Sequence, residues 1–292
     1  MGLDEKMNAS FSGKTQIFGV IGDPVVYSLS PTIHNAAFNA LKLDCVYLAF
    51  NVKAAEVAGA LKGMRSLNIC GLNVTMPHKS AVINYLDEVD NVSKFLGSVN
   101  TIVNENGKLC GFSTDGIGAL RALEENGSFI QNKKIVLLGG GGAAKAIAYA
   151  LSEKAAEIIL LNRTLAKTKL FVDAKKENSQ RRIKTDELTS RTICDSLKNA
   201  DILINATSVG MSPYAYESLV DPNWLTPNMT VMDIVYNPIE TKLIKDATTI
   251  GARVINGLEM LLYQGAASFE IWTGQSAPVK VMRQAALNQF NR

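Results

Sequence analysis

Apolar, strand-like runs alternate with helix-like stretches through the first third of the chain, a pattern that predicts βαβ units around a mostly parallel sheet. Strands are expected at Gln16 to Ile21, Cys45 to Phe50, Ile69 to Val74, Ser98 to Val103 and Lys108 to Phe112. Helices fit Pro31 to Leu41, Ala54 to Leu67 and Ser80 to Leu86. Ser30 before Pro31 reads as a helix start, because serine caps an orphan N–H and a proline at the first position loses no bond. A helical pattern from Asp115 to Asn126, closed by Gly127, leads into the apolar run Ile135, Val136, Leu137, Leu138. Further strands are expected at Ile158 to Leu161, Ile202 to Asn205, Thr230 to Ile234 and Arg253 to Ile255, with a helix at Thr241 to Thr249. From Gly257 the chain reads as helical to its end. The fold class is therefore α/β, with an N-terminal unit, a second unit after Asp115 and a groove between them at the strand carboxyl ends.

The run at 135 to 138 passes straight into Gly139, Gly140, Gly141, Gly142, Ala143 and Ala144: a strand, a glycine turn and a helix start. As G-x-G-x-x-A this is the turn of a Rossmann-type dinucleotide site, where backbone N–H groups at the helix start bind phosphate. The next strand ends in Asn162, Arg163, Thr164, where a ribose-binding acid usually stands. A guanidinium pairs with a 2′-phosphate, so the chain reads as NADP-binding rather than NAD-binding, with Lys167 one helical turn on as a second positive charge.

With 292 residues, 47% hydrophobic and 20% charged, the chain has the length of about two ordinary globular domains. A net charge of +3, with dispersed lysines and arginines, gives no nucleic-acid surface. The densest basic spots, Lys175 with Lys176 and Arg181 with Arg182, read as an exposed helix end and a loop. Cys45, Cys70, Cys110 and Cys194 form no C-x-x-C pair, which argues against structural zinc and against a disulfide framework. The first dozen residues are polar and mixed in charge, and no apolar stretch reaches a membrane span, so a cytoplasmic protein without membrane contact is expected.

Reducing a carbonyl with NADPH requires a hydride from the cofactor and a proton for the forming alkoxide. No tyrosine has a lysine four residues on, so the Tyr-x-x-x-Lys solution is absent. Three apolar strands instead run into polar ends: Asn73 to Lys79, Gly97 to Thr101, and Gly111 to Asp115. Lys79 and Asp115, if they meet across the groove, can exchange a proton with a substrate oxygen; for either one alone a helix cap or a solvated charge is the commoner role. Ser28 and Ser30 place two hydroxyls at a turn before a helix, suited to a carboxylate or to simple capping. Of the only two histidines, His34 reads as hydrogen-bonded within its helix and His78 as exposed.

These motifs together resemble the shikimate dehydrogenases from Gln16 to the C-terminus. The likeness rests on Ser-Leu-Ser-Pro-x-x-His-Asn at 28 to 35, Asn-Val-Thr-x-Pro-x-Lys at 73 to 79, Gly-Ser-Val-Asn-Thr at 97 to 101, Thr-Asp at 114 and 115 and the glycine turn. Asn-Arg-Thr at 162 to 164, Asn-Ala-Thr-Ser-Val-Gly-Met at 205 to 211, Asp233 with Tyr236 and Pro238, and Gly257 through Met260, Leu261 to Gln264 complete it. The resemblance implies NADPH-dependent reduction of 3-dehydroshikimate to shikimate, in aromatic amino acid biosynthesis. It implies Lys79 and Asp115 as the catalytic pair and Ser28, Ser30 and Tyr236 on the substrate carboxylate. Thr75, Asn100 and Gln264 would bind ring hydroxyls. The cofactor would be held by Gly139, Gly140, Gly141, Gly142, Ala143, Asn162, Arg163, Thr164, Lys167, Thr207, Met211 and Gly257. It further implies a discontinuous substrate domain, residues 1–114 with 257–292, around a cofactor domain of 115–256. Ser113 and Gly140 depart from the family pattern, which more often has asparagine and alanine there. Two alternatives stay open: a quinate and shikimate dehydrogenase of broader cofactor use, and a non-catalytic metabolite sensor of the same fold, which turnover separates at once. The resemblance leaves monomer and homodimer equally open.

Overall fold

The computed structural model describes residues 11–178 and 183–290. The N-terminal part runs β1 (Gln16–Gly22), α1 (Ser30–Ala40), β2 (Cys45–Asn51), α2 (Val57–Ser66), β3 (Gly71–Val74), β4 (Glu88–Val89), α3 (Asn91–Leu96), β5 (Thr101–Glu105) and β6 (Lys108–Phe112). Its six strands form one sheet in the order β2-β1-β3-β5-β6-β4. β1 pairs parallel with β2 and β3, whereas β5 pairs antiparallel with both β3 and β6. The reversal is local chemistry: Asn106 and Gly107 sit at φ 55° and 94°, the two positive values that a tight two-residue hairpin demands.

The remainder runs α4 (Asp115–Glu125), β7 (Lys134–Leu138), α5 (Gly142–Leu151), β8 (Glu157–Asn162), α6 (Leu165–Asn178), β9 (Ile183–Glu187), α7 (Ser190–Leu197), β10 (Ile202–Asn205), β11 (Thr230–Asp233), α8 (Lys242–Ile250), β12 (Arg253–Ile255), α9 (Gly257–Thr273) and α10 (Val279–Phe290). Its sheet, β12-β11-β10-β7-β8-β9, is parallel throughout. Ile135, Val136, Leu137 and Leu138 are all fully buried, which is why β7 reads as an unbroken apolar run: both faces of a parallel sheet are covered.

Several elements differ from expectation. The segment expected as a helix at Ser80 to Leu86 is only a 3-10 turn at Ala81–Tyr85. β4, α3, β9 and α7 were not expected, being too short to show a period. Their caps are local nonetheless: the Asp90 carboxylate accepts from the Val92 and Ser93 amides, and Thr189 forms a reciprocal capping box with Thr192. The side chains of Lys167, Lys175 and Lys176, and Arg181 and Arg182 altogether, lie outside the described residues.

α9 and α10 return to the first sheet, where Leu258, Leu262, Ala266, Phe269, Met282 and Ala286 share one core with Phe18, Val20, Ile33, Phe38 and Tyr47. Truncating a fully buried ring such as Phe269 to alanine costs about 3–5 kcal/mol. α4 packs in the core of the second sheet beside α5 and also touches α9. Glycines make both contacts feasible: a Cβ on Gly116 would lie 2.5 Å from the Ala146 carbonyl of α5, and one on Gly118 would lie 2.6 Å from the Gln264 amide nitrogen of α9. α4 thus carries Asp115 at its first residue and packs Gly118 on Gln264 of α9. Among the described residues no helix is long and apolar enough to cross a membrane.

Candidate active site

A groove of about 250 Å³ opens where β1 and β3 end, bounded on its far side by the start of α5, the segment after β11 and the first turns of α9. Ser28, Ser30, Thr75, Lys79, Asn100, Asp115, Tyr236 and Gln264 all line it, as do Ala143 and Gly257 from the residues expected at the cofactor. Lys79 and Asp115 meet: Nζ lies 2.6 Å from Oδ2. The Asn100 Nδ2 donates to the other carboxylate oxygen, Oδ1, at 2.8 Å. Asp115 is nearly enclosed, with 6% of its side chain exposed against 24% for Lys79, so the ammonium forms the solvent-facing end of the pair. A cation and an amide donor on the two oxygens fix the orientation of the carboxylate at the edge of the groove.

Asn100 is itself held. Its Oδ1 accepts from the Thr114 amide at 2.8 Å, and its Nδ2 reaches Thr114 Oγ1 and Gln264 Oε1 at 2.9 and 3.3 Å. The turn carrying Lys79 is tied by His78, whose amide donates to the Thr75 carbonyl and whose ring nitrogen lies 2.7 Å from the Val52 carbonyl. This corrects the expectation of an exposed His78: the ring is 1% exposed and anchors the turn. His34 is corrected as well. It is fully buried and stacked on Tyr47 at 4.4 Å, and neither ring nitrogen has a hydrogen-bond partner among the described residues. Burial alone holds its imidazole down at about 3.

Ser30 does not cap α1. It is the helix's first residue, no side chain caps the helix, and the Ser30 amide donates instead to Ser28 Oγ at 3.3 Å. Capping requires the serine to stand outside the helix with its oxygen turned back on the first turn; here Ser30 lines the groove and its hydroxyl meets the Tyr47 phenol. Tyr236 follows β11, and burial raises its phenol above the ordinary value. Its segment is anchored by Asp233, which accepts from the Thr241 hydroxyl at 2.7 Å and from the Asn205 amide and Val235 N–H at 3.0 Å. Burial pushes the Asp233 carboxyl up to about 6 against the pull of those donors.

The other residues expected at the cofactor gather around the end of β7, outside the groove lining. Gly139 has φ 113°, and a Cβ there would lie 2.7 Å from the Ala206 carbonyl. Gly140 packs against Asn162, whose Nδ2 donates to the Thr164 carbonyl at 3.0 Å. Arg163 and Thr164 are exposed at the end of β8. Thr207 donates to Asn205 through both its amide and its hydroxyl, and Met211 is 41% exposed. The turn fits a dinucleotide. No atom lies within 4 Å of a Cβ built on Gly141, and α5 starts there with no capping side chain and no acid in its first turn. Its N–H groups and dipole face open space, as a pyrophosphate requires. Gly142 and Ala143 would supply the amides, and Arg163 the charge for a 2′-phosphate.

The expectation missed the apolar walls of the groove, Val20, Ile234, Met260 and Leu261. Nothing in their local sequence sets Val20 and Ile234 apart from core residues, while Met260 and Leu261 stand in a motif of the likeness without a role. Asn73 carried a signal in its motif without a role: it is a polar side chain on a strand whose four positions are all buried.

Family models match three segments: a shikimate dehydrogenase substrate binding domain over residues 20–102, a shikimate / quinate 5-dehydrogenase over 121–235, and a shikimate 5′-dehydrogenase C-terminal domain over 257–287. The shikimate dehydrogenase (NADP(+)) of Moorella thermoacetica is 46% identical over 92% of this chain and 91% of its own. A solved shikimate dehydrogenase in complex with NADP+ superposes with TM-score 0.91 at 42% identity, covering 97% of this chain and 98% of the other. The shikimate 5-dehydrogenase of Thermus thermophilus, solved with NADP(H) and shikimate, gives TM-score 0.84 at 33% identity over 94% and 99%.

Proposed function

The chain belongs to the shikimate dehydrogenase family, and on that premise we propose that it reduces 3-dehydroshikimate reversibly to shikimate with NADPH, using Lys79 and Asp115 to move the proton. The single observation that carries the proposal is the 2.6 Å Lys79–Asp115 pair set in a groove whose other end presents Ser28, Ser30 and Tyr236. Bound NADPH supplies the hydride. The chain's own residues supply the rest. Lys79 Nζ, at the open end of the pair, gives a proton to the forming alkoxide, and the Asp115 carboxylate beside it keeps the ammonium oriented and is itself held by Asn100. Three hydroxyls meet the substrate carboxylate, while Thr75, Asn100 and Gln264 meet ring hydroxyls and set the face that is reduced.

The same reading assigns residues 1–114 and 257–292 to the substrate and 115–256 to the cofactor, supported by the shared core of α9, α10 and β1. It places the enzyme in the cytoplasm. Arg163 and Thr164, with no acid at the end of β8, favour NADP over NAD.

The test is the initial rate of NADP+ reduction by the purified protein with shikimate, followed by nicotinamide absorbance and repeated with quinate and with NAD+. Turnover with shikimate and NADP+ well above the other combinations is expected. Absence of turnover in folded protein that binds NADPH overturns the proposal and leaves a sensor of the same fold.

A further inference from the structure

Beneath the groove, six polar side chains that are almost wholly enclosed form one line from the far side of the first sheet to Asp115. Tyr47 on β2 donates its phenol to Asn73 Oδ1 at 2.7 Å. Asn73 Nδ2 donates to Ser268 Oγ on α9 at 3.0 Å. Ser268 and Thr101 hydroxyls lie 2.7 Å apart, and Thr101 Oγ1 donates to Asn100 Oδ1 at 3.2 Å. Asn100 Nδ2 then donates to Asp115 Oδ1 at 2.8 Å. Tyr47, Thr101 and Ser268 are fully buried, and Asn100, Asp115 and Asn73 are only 2%, 4% and 6% exposed.

The order of donors follows from chemistry. The phenol must donate at its short contact with Asn73, because the partner there is a carbonyl oxygen without a proton. That fixes the Asn73 amide with its NH2 toward both Ser268 and Thr101, whose hydroxyl oxygens accept at 3.0 and 3.3 Å, while Ser268 has the Gln264 carbonyl at 3.1 Å as well as Thr101 to donate to. Thr101, having received, gives its proton to Asn100 Oδ1, and Asn100 presents N–H to the carboxylate. From Tyr47 through Asn73 and Thr101 to Asn100 the donors point the same way, and hydrogen bonds aligned in this manner polarise one another in a low-dielectric interior.

We propose that Tyr47, Asn73, Ser268 and Thr101 are positioning residues that act through Asn100 as one polarised donor chain on Asp115, a role that rests on the catalytic reading of the Lys79–Asp115 pair. At its outer end Tyr47 stacks on His34, which offers it no hydrogen bond among the described residues, and its phenol also meets the Ser30 hydroxyl. The donor chain also draws on distant parts of the sequence, with Ser268 167 positions from Thr101, so the return of α9 completes the site from below as well as from within.

The test uses the full-length protein after wild-type turnover with shikimate has been established. Thr101→Val, close in shape but without the hydroxyl, is expected to lower kcat about tenfold with KM for NADP+ unchanged, and Thr101→Ser to recover most of the loss. Tyr47→Phe is expected to lower kcat about threefold in the wild type and to have no further effect once Thr101→Val has removed the hydroxyl that receives from both Asn73 and Ser268. Full additivity of Tyr47→Phe and Thr101→Val, or wild-type kcat in Thr101→Val, overturns the proposal. A second readout needs no turnover: the Asn100 side-chain amide proton resonance moves upfield in Tyr47→Phe. A resonance that stays in place overturns the chain even if the substrate proves to be another, whereas an inactive wild type with a shifted resonance overturns only the catalytic reading.

Discussion

Beyond the end of β3, before β5 and at the start of α4, the groups facing the groove are side chains, among which Asn100 and Asp115 are each held by two or more hydrogen bonds to other side chains or to backbone. Around the end of β7 the corresponding groups are backbone amides of an uncapped helix, with exposed side chains only at the rim. One region is built before any ligand arrives; the other is a shaped space with donors aimed into it. The difference matches their tasks. Proton transfer needs one atom at one place, while a phosphate is held by many weak, convergent donors that tolerate small displacements. Replacing side chains should therefore strike kcat in the first region, and adding atoms should strike cofactor affinity in the second.

The sharpest break comes at Lys79. Lys79→Ala removes the donor while leaving the hydroxyls at the other end of the groove, so kcat is expected to fall about 10³-fold, within the ~10²–10⁴ range of general acid catalysis, with KM for shikimate within a few-fold. Steady-state kinetics checks it. A kcat within tenfold of wild type ends the proposed role.

Next in size is Arg163, an exposed side-chain charge at the rim of the second region. Arg163→Ala is expected to raise KM for NADP+ by ~10–100-fold, the loss of one charged hydrogen-bonded contact worth about 1.5–3 kcal/mol, and to leave KM for NAD+ where it was. Equal losses with both cofactors would show that Arg163 supports the fold of the turn instead of reading the 2′-phosphate.

The two regions also bury opposite titrating groups, and acid should separate them. His34, in the first core, is held at about 3 against an ordinary 6.5. Its neutral form is the folded one, so its stabilisation is present above about pH 6.5 and is lost as the pH falls toward 3, by about 2 kcal/mol between pH 7 and pH 5. Asp233, beside the second sheet, is raised to about 6 from 3.8. Its contribution has the other sign: fully present below about pH 4 and lost as the pH rises through 6. Denaturant unfolding between pH 4 and 7.5 should therefore show His34→Phe losing less stability than wild type on acidification, and Asp233→Asn losing more. Parallel curves would remove both assignments.

How much of this was legible in the sequence also differs by region. β7 and β8 are continuous apolar runs buried on both faces, and the glycine turn between them obeys a local rule, so strand, turn and helix could be read within twelve residues. The side-chain region could not. Lys79 and Asp115 stood out as strand-end residues able to exchange a proton if they met, but their meeting depends on a hairpin and a helix start that bring positions 36 apart to 2.6 Å. Gln264 enters the groove because α9 packs on Gly118 of α4, a contact with no periodic signature. The burial of His78 likewise follows from a carbonyl on a neighbouring segment, Val52. Local geometry is written in neighbouring residues; a site assembled from four segments is visible in sequence only through the likeness of its motifs to a family.

The finest test lies within the glycine turn and asks whether backbone space alone holds the cofactor. Gly139 and Gly141 are two residues apart but constrained for different reasons. At Gly139, φ 113° excludes a side chain, and a Cβ would press on the Ala206 carbonyl, so Gly139→Ala strains the empty protein by about 1–3 kcal/mol and lowers its melting temperature together with its NADP+ affinity. At Gly141, φ is −75° and a Cβ meets nothing. Gly141→Ala should therefore fold with an unchanged melting temperature, yet its methyl stands where a pyrophosphate would approach the amides of α5, and KM for NADP+ should rise about tenfold, or ~1.4 kcal/mol. Thermal unfolding and NADP+ titration of the same two variants separate the cases. If Gly141→Ala binds NADP+ as wild type does, the open space above α5 is not the phosphate cradle, and the contrast between a side-chain site and a backbone site fails at the point where it is most specific.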